Sequence, residues 1–570
     1  MTAVNESPVA DRPVASRGRG VSLVTILGAA GSLLLIISGL LSWSYEPSVL
    51  EDISPRLSPV TLQLFAILIG VTGLVLVAGR VGPLRHTLSF LDTRRGLQAL
   101  GIGAVLFMAL SLTAITVTTG GLINANEGAW VAVVGALALA ATVTQRGEDL
   151  FVRDPLRITW PGWFEILMIV ALCAAALWVA AYALGHGDVW VFMTFLLTIA
   201  VICTALARAG FFSVVGLIAQ RHRHVLTLGA FAAAFLFPFT QDGSEVNMSV
   251  ATLVLIFGAT AIGLNIVVGL AGLLDLGYVA FLGAGAYVGA ILSGSAFATV
   301  GWQPPFIVTV LLGGIFAAFL GLIVGSPTLR VSGDYLAIVT LAFGEIFRLT
   351  MFNLDGNNGP NFTNGPNGIT AIPDLNLFGF DFGATHVILG VPLSRAANYY
   401  LLLLFLTAFI IMVFANLNNS RIGRGWVAIR EDERAAEAMG VNTFGLKLLA
   451  FAGGAFLAGV AGTIKAHYDT SVTPDQYIFL ESAFLLAAVV LGGMGTIAGV
   501  MLGAVILKML PEKLRFFEDY RLLLFGLLLV LMMRFRPEGL VANRRRQLEF
   551  HDDDEQLAEE IEAEHVEVAK

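Results

Sequence analysis

The chain has few charged residues and almost no cysteine, and these shortages exclude most classes of soluble protein. Only 13% of its 570 residues are charged, whereas soluble domains carry about 25%. The two cysteines, Cys173 and Cys203, both lie in apolar runs and are expected to be small core residues rather than a disulfide. No residues have the spacing of metal ligands, and no basic region indicates a nucleic-acid partner.

Motifs for covalent chemistry and nucleotide binding are also missing. The sequence has no G-x-x-x-x-G-K phosphate loop, no nucleophile elbow, no H-E-x-x-H and no C-x-x-C. Its glycine-rich stretches lie in runs long enough to cross lipid, where a nucleotide would not be cradled. We therefore expect no enzymatic site and no cofactor bound by this chain.

What the sequence has in abundance is apolar runs of about 17–23 residues, the length of a helix that crosses a bilayer. Hydrophobic residues make up 57% of the chain, and the mean hydropathy is +0.82. We predict an all-α, polytopic membrane protein with about 14–16 transmembrane or re-entrant helices. The apolar segments are 21–43, 60–79, 97–118, 128–144, 162–183, 189–209, 223–240, 249–271, 276–296, 305–325, 334–352, 398–416, 446–466, 478–493, 497–510 and 521–535. The two segments between 478 and 510 are short. They fit one bent helix, a re-entrant pair of helices or two membrane-spanning helices.

Loops that carry arginine alternate with loops that carry acids, and this alternation predicts the orientation. The arginines lie at 12–19, 80–95, 146–157, 221–223, 421–430 and 544–546, and the acids at 46–52, 127, 188 and 242–245. We expect both termini in the cytoplasm and the chain in the cytoplasmic membrane. The N-terminus is no clear secretory signal, because the first apolar run is too long.

The composition changes along the chain and predicts four regions. Residues 1–20 form a cytoplasmic tail. Residues 21–220 form an accessory region of about six plain transmembrane helices, which serves packing, partner contact or lipid contact. Residues 221–546 are richer in Gly, Asn and intramembrane charge, and are expected to carry the function. The tail 547–570 is acidic, since residues 551–570 hold nine acids and one lysine. We expect it to be solvated, and a docking segment is the alternative.

Glycines and polar residues interrupt the apolar run GLNIVVGLAGLLDLGY at 263–278. Small residues let helices approach closely, and glycines also permit a broken helix whose freed backbone groups meet a polar solute. Helix packing and pathway lining both fit this pattern. The pathway candidates are Asn265, Gly269, Gly272, Asp275 and Tyr278.

A second segment, 333–348, places charge inside an apolar run. Asp334 is well placed at a helix N-terminus, and Glu345 can pair with Arg348. Ionisable groups in a span face a bundle interior or a cavity. A structural ion pair and substrate contact are both open, and the candidates are Asp334, Tyr335 and Glu345.

The loop 353–397 is long and is predicted to lie outside. It contains Asn-Gly-Pro-Asn twice, at 358–361 and 364–367, and these residue types form turns. Long structured loops are often functional, so we expect this one to receive a docking partner or to cap the pathway. The candidate residues are Asn364, Gly365, Pro366 and Asn367.

The predicted cytoplasmic segment 421–445 reads RIGRGWVAIREDERAAEAMGVNTFG. Helix formers dominate 426–438, and Gly440 can end the helix. Trp426, Ile429 and Ala436 would then form an apolar stripe, which suits docking into a partner's groove or lying on lipid headgroups. The mixed charge favours the protein partner.

In this order, the four segments resemble the permease subunits of bacterial ABC importers for branched-chain amino acids, specifically the longer, second permease subunit. The resemblance covers about 223–540. It is carried by GLNIVVGLAGLLDLGYVAFLGAGAY at 263–287, GDYLAIVTLAFGEIFRL at 333–349, NGPNGI at 364–369 and the segment 421–445.

Importer permeases resemble one another in an E-A-A-x-x-x-G motif that couples them to the ATPase. Ala435, Ala436 and Gly440 hold the A-A-x-x-x-G positions here, whereas Arg434 stands where the family has Glu, with Glu433 beside it. The resemblance implies coupling to the ATPase through the following residues: Trp426, Arg430, Glu433, Ala435, Ala436 and Gly440.

The resemblance also implies the partners. A second permease subunit would form the pathway together with this chain. Two cytoplasmic ATPases would use ATP, and an extracytoplasmic solute-binding protein would deliver leucine, isoleucine or valine.

Two other functions fit the sequence. Permeases of the same architecture import urea, short amides or other small organic solutes. An ion-coupled secondary transporter would show an internal repeat and paired carboxylates, and here Asp334, Glu345 and Glu481 occur without a clear repeat. A membrane-embedded enzyme is disfavoured by the lack of clustered His, Ser/His or Cys/His at membrane depth.

Overall fold

The computed structural model describes residues 23–44, 62–80, 88, 90–144, 160–185, 188–328, 335–357, 359–388 and 390–513, together with 520, 523, 526, 527, 529–531, 534 and 539–541. The predicted tails, Asp334 and much of the apolar segment 521–535 lie outside these residues. The chain divides into two compact units, with the boundary between Gly229 and Ala230.

The first unit contains seven described helices that precede the boundary. They are α1 (Leu23–Ser38), α2 (Leu62–Ala78), α3 (Thr93–Thr119), α4 (Glu127–Ala140), α5 (Gly162–Gly185), α6 (Val189–Arg208) and α7 (Phe211–Arg221). The first six match predicted apolar segments, and α7 was not predicted.

Helix α7 is only 11 residues long, and this is why a search for apolar runs long enough to cross a bilayer does not reveal it. Its buried residues, Val214 and Ile218, are four apart and so lie on one face. Its last residue, Arg221, and the following His222 both bind the buried carboxylate of Glu165 in the first turn of α5.

Helix α8 (Arg223–Leu236) crosses the boundary between the units, and ten helices follow it. They are α9 (Glu245–Asn265), α10 (Val279–Ile291), α11 (Phe306–Thr328), α12 (Tyr335–Asn353), α13 (Arg395–Asn418), α14 (Arg421–Glu431), α15 (Glu433–Ala438), α16 (Thr443–Asp469), α17 (Phe479–Gly492) and α18 (Ile497–Lys513). A π-helical turn, Ile266–Leu270, continues α9.

Strands are few and short in the described part of the chain. They form two antiparallel hairpins, β1 (Asn376–Leu377) with β2 (Phe380–Asp381) and β3 (His386–Ile388) with β4 (Val391–Leu393). Both hairpins belong to the long loop between α12 and α13, and neither enters the helical core.

The prediction of an all-α, polytopic membrane protein is confirmed. Among the described residues, ten helices are long and apolar enough to cross a bilayer, and five further apolar helices are shorter. The ambiguous pair between 478 and 510 consists of two separate helices, α17 and α18, joined by a turn at Gly493–Thr496. Gly492 packs against Gly499, and Gly503 packs against Ala488, so the two helices run side by side as a hairpin.

Helix α16 is the central helix of the second unit, and glycines let its neighbours approach it closely. A Cβ atom on Gly285 of α10 would lie 2.0 Å from the carbonyl oxygen of Gly459. A Cβ atom on Gly313 of α11 would lie 2.1 Å from Thr463 Oγ1, and that hydroxyl donates to the carbonyl of Gly285 at 3.0 Å. Small residues at these crossings thus let the helix backbones approach each other closely, as is usual in membrane proteins.

We expect Gly285→Ala to destabilise the protein, although alanine favours helix formation over glycine. The added methyl group meets a backbone oxygen, so α10 and α16 must separate, and overpacking of this kind costs about 1–3 kcal/mol. Thermal unfolding of the purified protein in detergent measures the loss. The matched control is Gly453→Ala in α16, where nothing lies within 4 Å of the new Cβ. Equal unfolding temperatures for the two variants would contradict the close-crossing argument.

Candidate functional site

The chain breaks its helix between α9 and α10, within the segment that the sequence singled out. The π-helical turn 266–270 ends at Ala271, and residues 271–278 run without helix until α10 begins at Val279. We call residues 266–278 the helix break. Gly272 adopts φ +73°, a left-handed conformation that L side chains rarely adopt, so glycine is required where the chain turns.

Asn265 anchors the start of the helix break to the turn between α17 and α18. Its side chain is fully buried. Oδ1 accepts from the backbone N–H of Gly495 at 2.8 Å, and Nδ2 donates to the carbonyl of Thr496 at 3.3 Å. Gly269 closes over this amide, because a Cβ atom there would lie 1.9 Å from Asn265 Oδ1. The asparagine therefore satisfies two backbone groups of the turn between α17 and α18.

The far end of the helix break is held by α12 and α16. Leu276 donates its backbone N–H to Thr340 Oγ1 at 3.0 Å, and the hydroxyl of Tyr278 donates to the carbonyl of Gly454 at 2.6 Å. Asp275 is buried; its Oδ1 accepts from Gly277 N–H at 2.9 Å, and its Oδ2 has no hydrogen-bond partner among the described residues.

The segment predicted as one helix from 426 to 438 consists of two, α14 and α15. Asp432 lies between them in extended conformation, and its side chain accepts from Ala435 N–H at 3.0 Å, capping α15. Gly440 follows α15 with φ +83°. An aspartate that caps a new helix ends the previous one, because its own backbone cannot stay helical.

One face of α14 and α15 packs against the rest of the protein, and the other face is exposed to solvent. Trp426, Ile429 and Ala436 are buried, and Trp426 Nε1 donates to the carbonyl of Leu446 at 2.7 Å. Lys447 of α16 pairs with Glu433. Every residue from 431 to 440 except Ala436 is exposed. We call this exposed stretch the α15 surface; it includes the predicted coupling residues Glu433, Ala435 and Gly440, whereas Trp426 and Ala436 hold it in place.

Arg430 connects α14 directly to the helix break. Its Nη1 donates to the carbonyl of Gly269 at 2.7 Å. Its side-chain stem lies against Gly272, where a Cβ atom would come within 2.7 Å of Arg430 Cγ. The structure thus brings together a residue predicted for coupling and two predicted for the pathway, which are far apart in sequence.

The predicted outer-loop residues form a tight turn that rests on the segment after α16. Asn364 and Gly365 both have positive φ, and Asn364 Nδ2 donates to the carbonyl of Gly368 at 3.1 Å. The next residue, Ile369, pairs with Val472 through two backbone hydrogen bonds of 3.0 and 2.9 Å. Gly365 is buried, whereas the two remaining candidates are exposed at the tip; these are Pro366 and Asn367.

The candidates on α12 lie apart from the helix break. Tyr335 is exposed. Glu345 accepts three hydrogen bonds from Arg348, at 2.5, 3.0 and 3.2 Å, and Arg348 also donates to Asp475 at 3.4 Å. The predicted pairing of Glu345 with Arg348 is present within α12, and the further contact of Arg348 with Asp475 ties this helix to the turn before α17.

A cavity of about 280 Å³ lies next to the helix break, and sequence reasoning did not assign its charged residues to the site. Val279, the first residue of α10, lines it. So do five polar or charged residues from α16, α17, α18 and the turn before α17: Lys465, Asp469, Gln476, Glu481 and Lys508. The available signal was charge within or at the edge of an apolar segment, which in membrane proteins marks a cavity or a pathway.

Comparison with known proteins identifies a family that matches the second unit and several relatives of the chain. The family model described as branched-chain amino acid transport system / permease component matches residues 246–533. The high-affinity branched-chain amino acid transport system permease protein LivM of Escherichia coli (strain K12) is 41% identical over 330 residues, which are 55% of this chain and 74% of the relative.

Two relatives of lower identity are also named as permeases for branched-chain amino acid transport. The probable branched-chain amino acid transport permease protein LivM of Methanocaldococcus jannaschii is 27% identical over 314 residues, covering 50% of this chain and 83% of the relative. The permease protein LivH of Salmonella typhimurium is 32% identical over 145 residues, covering 25% and 44%. No solved structure matches the chain.

The family match spans half of the chain and contains the helix break, α12, the outer-loop turn, α14 and α15. The chain therefore belongs to the family of permease components of branched-chain amino acid transport systems.

Proposed function

We propose that this chain is one of two permease subunits of an ATP-driven importer that carries leucine, isoleucine and valine. The observation that most supports the proposal is the bond between Arg430 and the carbonyl of Gly269. It joins an exposed segment, available to a partner protein, to a break in the helices of the core. The names of the relatives supply the solute class, since LivM of Escherichia coli is named for high-affinity transport of branched-chain amino acids.

The proposed importer divides its work among several subunits. A second permease subunit shares the solute pathway, two cytoplasmic ATPases bind and hydrolyse ATP, and an extracytoplasmic protein delivers the solute. This chain supplies no ATPase site and no cofactor, in keeping with its lack of a phosphate loop. Both termini and the α15 surface face the cytoplasm, and the turn at 364–368 faces outside, where Pro366 and Asn367 meet the delivery protein.

The proposed coupling runs from the α15 surface to the helix break. Trp426 and the Lys447–Glu433 pair hold α14 and α15 on α16, so a pull on the α15 surface moves these elements together. Arg430 passes this movement to Gly269 and Gly272. A π-helical turn followed by non-helical backbone yields more easily than a continuous helix. The break is therefore the element that we expect to change when ATP binds to the partner.

Vesicle uptake tests the proposal. We expect radiolabelled leucine to accumulate in proteoliposomes that hold this chain, its second permease and the ATPases, with ATP inside and the delivery protein outside. Omitting ATP or the delivery protein should reduce uptake to background, and excess valine or isoleucine should compete. Uptake driven by an ion gradient without ATP and partners would replace this proposal with a secondary transporter. Competition by urea rather than by valine would keep the architecture and change the solute.

A further inference from the structure

The cavity beside the helix break presents two pairs of opposite charges. Lys508 Nζ lies 3.0 Å from Glu481 Oε2, and Lys465 pairs with Asp469. The four side chains are 17–35% exposed, so these pairs face open space and are not sealed inside the protein. Lys508 also lies over the ring of Phe257 at 4.4 Å, which holds its ammonium group in position.

Besides Gln476 and Thr260, the rest of the wall is apolar and comes from three helices. Leu253 and Ile256 lie on α9, Leu282 on α10 and Leu485 on α17. Charged pairs thus share one chamber with a branched aliphatic surface. The volume of about 280 Å³ lies just below the range of about 300–1,000 Å³ that ligand pockets span, so the cavity suits a single small molecule and not a peptide.

A structural role alone explains this arrangement poorly. Ion pairs that remain partly exposed to solvent contribute only about 0–1 kcal/mol to stability, so neither pair is needed to hold the helices together. Ionisable residues within membrane helices generally face a functional cavity. Paired charges of both signs, each with part of its surface free, match a ligand that itself carries both signs.

We infer that this cavity binds a zwitterionic α-amino acid with an aliphatic side chain. The ammonium group of the ligand meets Glu481 and Asp469, its carboxylate meets Lys508 and Lys465, and its side chain lies on the leucine and isoleucine wall. The inference rests on the proposed function and adds a site within this chain. Val279 lines the cavity and donates its backbone N–H to Ser482 Oγ at 3.0 Å, so movement at the helix break reshapes the chamber that holds the ligand.

Leucine uptake by the complete importer in proteoliposomes tests the site. The variants are Glu481→Gln, Lys508→Met and the exchanged double variant Glu481→Lys with Lys508→Glu. Each single variant should lower the maximal uptake rate by about tenfold or more, since a charge-assisted contact to the ligand is lost. The concentration of loaded delivery protein that gives half-maximal uptake should not change, because docking occurs elsewhere.

The exchanged variant separates ligand binding from structural pairing. It restores an ion pair but reverses the charges that the ligand meets, so uptake should stay low; recovery to the wild-type rate would overturn the inference. The matched control is Asp374→Asn, which breaks a pair with Arg395 of similar exposure outside the cavity. It should keep more uptake than either single variant, and an equal loss would likewise overturn the site.

Chemical protection gives a measurement that does not depend on transport. With Cys173 and Cys203 replaced by serine, Leu253→Cys in the purified complex should react with a water-soluble thiol reagent. Millimolar leucine should slow that reaction, and urea should not. If leucine does not slow the modification of this cysteine, the proposed site is wrong even if the importer transports leucine. A wild-type importer that does not transport leucine would instead remove the proposed function.

Discussion

Replacing Ala435 with arginine is expected to abolish co-purification of the ATPase subunits with this permease. Ala435 is exposed in the first turn of α15, beside Glu433 and Arg434, on the surface proposed to enter a groove of the ATPase. A long charged side chain would hold the two proteins apart. Central contacts of protein interfaces often account for 2 kcal/mol or more, so we expect affinity to fall by more than about tenfold. Pull-down of the complex through a tag on this chain, followed by quantitation of the ATPase, measures the effect.

Two further variants test whether the loss arises at the interface. Phe378→Arg adds the same charge at an exposed position in the loop between α12 and α13, and should leave co-purification intact. Ala436→Arg alters a buried neighbour, and should lower the yield of folded permease itself. Normal ATPase recovery with the Ala435 variant would show that the α15 surface is not the docking surface.

Arg430→Met should retain the ATPases but lose most of the transport. Methionine keeps much of the apolar stem that packs on Gly272, while the bond to the Gly269 carbonyl disappears. The carbonyl at the helix break then lacks a charged donor, and hydrogen bonds to charged groups contribute about 1.5–3 kcal/mol. We expect leucine uptake to fall by about tenfold or more, and ATP hydrolysis to lose its stimulation by the delivery protein.

A matched arginine and a double variant sharpen this prediction. Arg424 lies on the same helix but donates locally, to the carbonyl of Asn419 at 3.3 Å, so Arg424→Met should transport nearly normally. Gly272→Ala would push the Arg430 stem and strain a positive-φ position. Because both changes act on one contact, the double variant should lose less than the sum of the single losses. Additive losses, or wild-type uptake by Arg430→Met, would argue that movement reaches the core by another route.

The membrane fold was largely predictable because its signal is local. A run of apolar residues predicts a helix by its length, whatever lies next to it, and the six early segments each overlap one of α1 to α6. Helix α7 was missed because its 11 residues are too few to cross a bilayer. The division between α14 and α15 was also missed, although Asp432 followed by helix formers is a usual capping pattern.

The site was predictable only in part. Asn265, Gly269 and Gly272 stand out as polar or small residues in an apolar run, yet the sequence does not show that Asn265 binds Gly495 and Thr496, more than 200 positions away. Lys465 and Lys508 belong to different apolar segments. Their meeting around one cavity depends on how α16 and the α17–α18 hairpin both pack against α9.

Taken alone, the sequence determined that this protein crosses the membrane many times and which segments carry unusual residues, because hydropathy and backbone conformation are properties of each segment. The tertiary structure decided which of those residues meet. It placed Arg430 on the carbonyl of Gly269 across 161 positions of sequence, and it set Glu481 and Lys508 facing one chamber with an aliphatic wall. Such meetings follow from the close approach of helices at glycines, which depends on both partners of each crossing and so cannot be inferred from either segment alone.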